Sequence, residues 1–577
     1  MRGGGWPATA GRWRLTLDRL GSVLRSDGGL LLLILLVQLV LISPSLMPTY
    51  SGINAYDEAK YIESGRLLLK GEIRNLAWGP IVALVYAPFH LLWSSSLDWF
   101  TLEARAGQFV LFISMWLATV YLAKRLIGWQ LALISAGVLF VSTAYFGVLD
   151  NPSDATLVVF SALTLAKLMA FANAPNTGDA WQASLLVGLA VLARVEAVLY
   201  LPLLVVLGWW LGRNRLPAGR TLVLTAVPAV AVVAVYLVLS AATSGLELGV
   251  SGKAYDSFEV NQPIAGGASN EEQRQRAIEL FGTQQENQGS ILRAIGRNPL
   301  AFLSRPWVNG LEEPGRYLDA FGARLGPALL LLALWGLFRL AKSESRRLVP
   351  AVLLWALPPA VSLFFLPLHF ARQISFVLLV LAAAGVEWVV RPDSAGRRSL
   401  LIASGLMAAA GLGSGKLGIA VSGLVLGTAL AFIELAYARL NHNPWSSGGA
   451  LALLLAAGII LRPSYRFPDY PPLGDSAREQ AVHELQRSLP AGTRILEPLP
   501  LPAVAARLVE VSPGQVPADI QSPESLQAWL QAQGIRAIYV EGTAGYPLPV
   551  YELVKAGVGT YWAEAYRSGN LAVYLLP

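Results

Sequence analysis

Residues 221–243 read TLVLTAVPAVAVVAVYLVLSAAT, with no charged side chain among them. As an α-helix this segment runs about 35 Å, at about 1.5 Å per residue, against a bilayer hydrocarbon core of about 30 Å. It is apolar around its whole circumference, so no helix face suits water. Arg213, Arg215 and Arg220 stop it on the N-terminal side and Glu247 on the other. The segment reads as a membrane span.

The same reading recurs along the chain. Apolar stretches with few or no charges at about 29–48, 106–123, 126–149, 155–172, 181–196, 197–212, 325–340, 348–367, 373–390, 400–415, 417–437 and 449–462 bring the candidate spans to about thirteen. Composition agrees. Of 577 residues 54% are hydrophobic and 14% charged, whereas a soluble domain carries about a quarter charged residues. A water-facing surface cannot accommodate that deficit, because apolar cores stop growing beyond about 300 residues. The run Leu30–Met47 follows Arg2, Arg12, Arg14, Arg19 and Arg25 without a small-residue cleavage site, and reads as a retained helix.

Sidedness comes from the short basic loops. Lys124/Arg125, Arg213/Arg215/Arg220, Lys342/Arg346/Arg347 and Arg391/Arg397/Arg398 share one side with the N-terminus if the helices alternate, and that side is cytoplasmic. The net charge of +7 therefore reports topology, not a nucleic-acid surface. Cysteine is absent, which excludes disulfides, thiolate metal sites and cysteine nucleophiles.

The outer segments are then 49–105, 150–154, 244–324, 368–372 and 463–577. The first is semi-apolar, with helical runs Tyr56–Lys70 and Ile81–Trp93 lying at the interface. In 244–324 the centre is polar and expected to be mobile, with helical pattern returning at Ser290–Leu303. From Tyr465 the composition becomes that of a soluble domain. Asp475–Leu489 and Pro523–Gln533 have helical periodicity, and Thr493–Leu496, Ala537–Val540 and Leu571–Leu576 read as strands. The expected organisation is a polytopic α-helical membrane domain over 1–463 and a small extracytoplasmic α/β domain over 464–577.

Ionisable groups at an apolar boundary are costly and need a reason. Asp57 and Glu58 open the first outer helix, with Asp57, Tyr61 and Ser64 on one face. That face either presents a base to an acceptor hydroxyl or holds Asp57 as a helix cap. Asp150 and Asp154 flank Asn151-Pro152 in a short outer turn. Asp154 either caps the next helix or joins Asp57 in holding a divalent cation or a polar sugar. His369 and Arg372 lie at the outer mouth of two spans, against the inside bias of the other cations. Arg372 either snorkels to headgroups or binds a phosphate, and Lys253 is a further phosphate candidate. Arg194 and Glu196 read as a salt bridge holding an outer turn. The Gly411–Gly418 stretch lacks the strand context of a phosphate loop.

These residues resemble a known family. Asp57-Glu58-Ala59-Lys60-Tyr61, followed by Leu67-Leu68-Leu69-Lys70-Gly71-Glu72, is similar to the first-loop motif of the GT-C glycosyltransferases, in the branch of the protein O-mannosyltransferases and lipid A aminoarabinose transferases. Asp154 with Ala155-Thr156-Leu157-Val158-Val159-Phe160 resembles that branch's second acidic position, and Gly188–Arg194 its Gly-Leu-Ala-x-Leu-x-Arg pattern. Where the branch has Lys-Pro-Pro-Leu, this chain has Gly79-Pro80-Ile81-Val82.

The resemblance implies transfer of a sugar from a polyprenyl-phosphate donor to a protein, lipid or glycan acceptor at the outer face of the plasma (inner) membrane, in the cell envelope. It implies Asp57 as general base with inversion, and Arg372 with Lys253 on the departing phosphate. Glu58, Tyr61, Asp154 and His369 would bind substrate, with Glu58 and Asp154 the candidate ligands if a divalent cation takes part. Relatives differ in their use of a metal. Two other classes compete: a transporter or flippase, which tends to place charges midway through its spans, and a lipid-binding scaffold acting through 464–577.

Overall fold

The computed structural model describes residues 57–73, 78–92, 97–127, 151–174, 176–213, 216–244, 257–264, 270–311, 326–342, 348–364, 367–390, 395–413, 477–498, 500–517, 519–541 and 548–577, with isolated residues at 32, 35, 36, 255, 420, 423, 424, 426–428 and 431. The expected spans at 29–48, 126–149, 417–437 and 449–462 lie outside the described residues apart from scattered positions.

The first helices along the described chain form a ledge. Helix α1 (Asp57–Leu69) carries both acids in its first turn, where they meet the positive end of the helix dipole. A short 3-10 turn, Pro80–Val82, leads into α2 (Ala83–Leu92). Gly65 lets the two helices approach, since a Cβ there would lie 2.9 Å from the Ala87 backbone nitrogen. Then come α3 (Leu97–Ile127), α4 (Pro152–Asn173), α5 (Thr177–Ala193), the 3-10 turn Val195–Leu199, α6 (Tyr200–Gly212) and α7 (Ala218–Ser244). Among the described residues four helices are long and apolar enough to cross a membrane: Phe100–Ile127, Pro152–Asn173, Val195–Gly212 and Ala218–Thr243.

Within 244–324, α8 (Asn270–Phe281) runs through the polar centre that composition alone leaves without structure. The helical stretch expected at Ser290–Leu303 is two helices, α9 (Ile291–Arg297) and α10 (Pro299–Leu311), broken at Asn298 ahead of Pro299. A residue before proline is pushed out of the helical region. Arg305 of α10 is buried among Phe258, Phe281 and Phe302 and donates to the carbonyls of Phe258 and Phe364. It pins the segment to the membrane helices.

Further helices are α11 (Gly326–Lys342), α12 (Val349–Trp355), α13 (Leu357–Ala360), α14 (Pro367–Val390) and α15 (Ala395–Gly413). The expected span at 348–367 is broken into α12, α13 and the 3-10 turn Val361–Phe364 around Pro358 and Pro359, since proline removes an amide donor and clashes with the preceding turn. α11 and α14 cross at their glycines. A Cβ on Gly336 would run into the Leu381 carbonyl, and one on Gly385 into that of Leu332. Small residues at such a crossing let two membrane helices pack backbone to backbone.

The C-terminal region contains α16 (Ala477–Ser488), β1 (Arg494–Leu496), α17 (Pro500–Ala506), β2 (Val509–Val511), α18 (Pro523–Ala532), β3 (Ile535–Glu541), α19 (Leu548–Ala556), β4 (Ala563–Ser568) and β5 (Leu571–Leu575). The sheet order is β2-β1-β3-β5-β4. β1 runs parallel to β2 and β3, while β5 is antiparallel to β3 and β4. Gly569, at φ 59, and Asn570 close the β4–β5 hairpin, because such two-residue turns need positive φ. Strand β2 is short and β4 is mostly exposed, so neither shows the apolar run that marks β3 and β5.

Alternation along the strands sends Leu496, Ile538, Val540 and Tyr574 toward α18 and α19. The other face carries Ile495, Ala537, Tyr539 and Val573 into a cluster with α16 and α17, and that cluster continues into Ala59, Tyr61 and Ile62 of α1. The two regions share one core. Lys60 pairs with Glu510, and Arg66 reaches both the Val504 carbonyl at 2.6 Å and Glu103 at 3.6 Å. The helix bearing Asp57 is held between the spans and the α/β region.

Candidate functional site

The site begins with a cap. Asn151 precedes α4 in extended conformation, and its Oδ1 accepts from the Ser153 amide at 3.2 Å and the Ser153 hydroxyl at 2.8 Å. The helix is therefore capped by Asn151; Asp154, the alternative raised by sequence spacing, is not the cap. Nδ2 of Asn151 donates to Oδ2 of Asp57 at 3.1 Å. The N-termini of α1 and α4 thus face each other, and Asp57 is half-buried between them.

Asp154 is fully buried. Its Oδ1 forms an ion pair with Nη1 of Arg194 and accepts from Nε2 of Gln373, each at 3.1 Å. Arg194 also donates from Nη1 to the Ser153 hydroxyl at 3.1 Å and from Nη2 to Oε1 of Glu196 at 3.0 Å. The Arg194–Glu196 pair expected from the sequence is present, and the same guanidinium turns out to serve the acidic site as well.

Its position has a local cause. Arg194 terminates α5 in extended backbone, at φ −150 and ψ 128. The preceding Ala193 carbonyl lies against Gly79, which adopts φ 54 and has no room for a Cβ. The Gly79-Pro80 pair that departs from the family pattern thereby seats the ledge against the Arg194 turn.

Tyr61 is buried beside this network. Burial first, and then the Asp57 carboxylate, push its hydroxyl pKa up against the opposing pull of Arg194 and a hydrogen bond with Ser153. Tyr61 therefore stays protonated at working pH and acts as a donor. Ser64, expected on the same face, instead bonds the Lys60 carbonyl at 2.7 Å within its own helix. Glu58, fully buried, bears electrostatically on Tyr86, whose pKa rises through burial and then Glu58.

Of the residues singled out by sequence, Asp57, Tyr61 and Asp154 are brought together. Lys253 lies outside the described residues. His369 and Arg372 fall in the first turns of α14, and their side chains lie outside the described residues. That end of α14 is nonetheless at the site, because Gln373 bonds Asp154. Sequence reading missed Asn151, Ser153 and Gln373 as members. Asn151 carried a signal, an Asn-Pro pair at a helix start, but Gln373 carried none.

No protein-family model matches the sequence, and no curated protein matches it. Solved structures do. ArnT from Cupriavidus metallidurans bound to undecaprenyl phosphate superposes with a TM-score of 0.53 at 15% identity, covering 95% of this chain and 98% of that one. Its apo form gives 0.51 at 17% identity, over 95% and 97%. The apo oligosaccharyltransferase of Archaeoglobus fulgidus gives 0.50 at 13% identity, over 89% of this chain and 69% of that one.

The chain shares the fold of these two proteins. The likeness to ArnT runs through nearly the whole of both chains.

A divalent cation held by Glu58 and Asp154 is one expectation raised by the sequence. Among the described residues no three His, Asp or Glu side chains gather into a metal-binding group. Oδ1 of Asp154 is already paired with the Arg194 guanidinium at 3.1 Å. A dication bound there would stand about 4 Å from that charge, where each pair of unit positive charges repels by about 4 kcal/mol at an effective dielectric near 20. The residues present do not fit a metal at Asp154.

Proposed function

We propose that this protein is an inverting glycosyltransferase that moves a sugar from a polyprenyl-phosphate donor to an acceptor at the outer face of the membrane. The observation that carries the reading is Asp57: a carboxylate on the outer ledge of a GT-C fold, held by Asn151 and flanked by Tyr61 and the Asp154–Arg194 pair.

In this reading Asp57 accepts the proton of the acceptor hydroxyl as its oxygen attacks the anomeric carbon. The bond from that carbon to the lipid phosphate breaks on the opposite face, and the configuration inverts. The phosphate leaves with its electron pair, and a cation must meet it, because stabilising developing charge is usually the largest catalytic contribution. Arg372 is assigned that role, standing one residue before Gln373, which bonds Asp154; Lys253 and His369 are assigned to donor binding. Tyr61 offers a protonated hydroxyl to a sugar or acceptor oxygen, and Glu58 is assigned to substrate binding from behind the ledge. The acceptor class, whether protein, lipid or glycan, follows from what occupies the ledge.

The test is direct. Purified protein in lipid nanodiscs is incubated with a panel of polyprenyl-phosphate sugars and membrane-extracted acceptors, and donor consumption and glycosylated product are read by mass spectrometry. Consumption of one donor with matching product supports the reading. A full panel returned intact, alongside solute uptake in sealed vesicles, overturns it in favour of transport.

A further inference from the structure

We propose that the Arg194 guanidinium is the built-in counter-cation of the acidic site, standing where a divalent metal would otherwise stand beside Asp154, and that the site works without a divalent cation. The inference rests on the glycosyltransferase reading only for its activity arm.

The geometry gives two reasons. First, Arg194 engages Asp154 and Glu196 at 3.1 and 3.0 Å, two carboxylates from different elements, which is what a bridging cation does. Second, it starts a chain of donors that all point one way. Nη1 donates to the Ser153 hydroxyl, that hydroxyl donates to Oδ1 of Asn151, and Nδ2 of Asn151 donates to Oδ2 of Asp57. A one-way chain from a cation to a carboxylate is mutually reinforcing, since each bond polarises the next. Arg194 therefore neutralises Asp154 directly and orients Asp57 through two intermediaries. It is a positioning residue.

A guanidinium suits this role better than a lysine. Its planar fork sends Nη1 to Ser153 and Asp154 while Nη2 goes to Glu196, a geometry a single ammonium does not reproduce. Asp154 and Ser153 are almost wholly buried and Asn151 nearly so, so the chain is shielded from competing water.

The experiment uses full-length protein in nanodiscs and Mn2+ as the probe, with free Mn2+ followed by electron paramagnetic resonance. Wild type and Asp154→Asn are expected to bind Mn2+ alike, whereas Arg194→Met gains a site that the Arg194→Met, Asp154→Asn double variant lacks. Wild-type binding of about one Mn2+ that Asp154→Asn abolishes overturns the proposal. This arm needs no enzymatic activity, so it stands apart from the fate of the functional reading.

In the transfer assay, chelation with EDTA is expected to leave the wild-type rate unchanged. Arg194→Met is expected to lose about tenfold or more through misplacement of the base, with part of the loss restored by Mn2+. Arg194→Lys, which keeps the charge and guards against a folding artefact, is expected to fall between the two and to ignore Mn2+. An EDTA-sensitive wild type that Mn2+ restores overturns the proposal.

Discussion

Asn151 donates its side-chain amide to Oδ2 of Asp57 across 3.1 Å, joining positions 94 residues apart. One asparagine thereby caps a membrane helix with its carbonyl oxygen and orients a carboxylate with its nitrogen. The dual use ties the geometry of the acid to the start of α4.

Asn151→Ala is expected to keep the fold and lower the transfer rate by about 10- to 100-fold, because a base misplaced by about 1 Å costs about that much. Asn151→Asp keeps a cap but sets two carboxylates against each other, and is expected to be the more damaging for activity. Initial rates compared with melting temperatures separate the two effects. A wild-type rate in both variants would show that the hydrogen bond is idle.

Asp57→Asn is expected to leave the melting temperature within a degree or two and to cut transfer by about 100- to 10,000-fold, the range typical of a lost general base. Donor binding is expected to persist. A fully active variant would remove Asp57 from the mechanism.

Gly336→Ala places a methyl group where the Leu381 carbonyl already stands. The backbones of α11 and α14 must separate, at a cost of about 1–3 kcal/mol in line with other overpacked cores. Because α14 also delivers Gln373 to Asp154, lower thermal stability in detergent is expected together with reduced transfer. An unchanged melt would mean that the crossing is looser than it looks.

Glu497 gives a pH signature. Burial first, and then the nearby Glu510 carboxylate, push its pKa well above the usual carboxylate range. The folded form therefore favours protonated Glu497. Its stabilising contribution is complete below the unfolded value of about 4.3 and is lost as pH rises toward the folded pKa. Glu497→Gln keeps an acceptor for the Ala503 amide, which Glu497 bonds at 3.1 Å, and removes the titration. The variant is expected to gain stability relative to wild type as pH climbs from 4 to 8, read as the difference in melting temperature. A constant difference across that range would refute the assignment.

Much of the architecture was legible in the sequence. Hydropathy placed the apolar helices at 106–123, 155–172 and 221–243 close to where α3, α4 and α7 run. Periodicity placed α1, α16, β3 and β5 to within a few residues. It failed at α8, whose polar sequence hides a helix packed through Ala277 and Phe281. It failed also at β2 and β4, which lack an apolar signature.

By itself the sequence determined that this chain is built of apolar helices suited to a bilayer and that Asp57 opens the ledge helix. These are sums over neighbouring residues, and hydrophobic transfer and helix periodicity act locally along the chain. Only the tertiary structure decided that Asp154 meets Arg194, that Gln373 reaches it from 219 positions away, and that the α/β region shares a core with α1. Such pairings depend on how each helix is rotated and how closely it crosses its neighbours. Those angles are set by contacts such as Gly336 on Gly385 and Gly79 on Ala193, which no window of sequence contains.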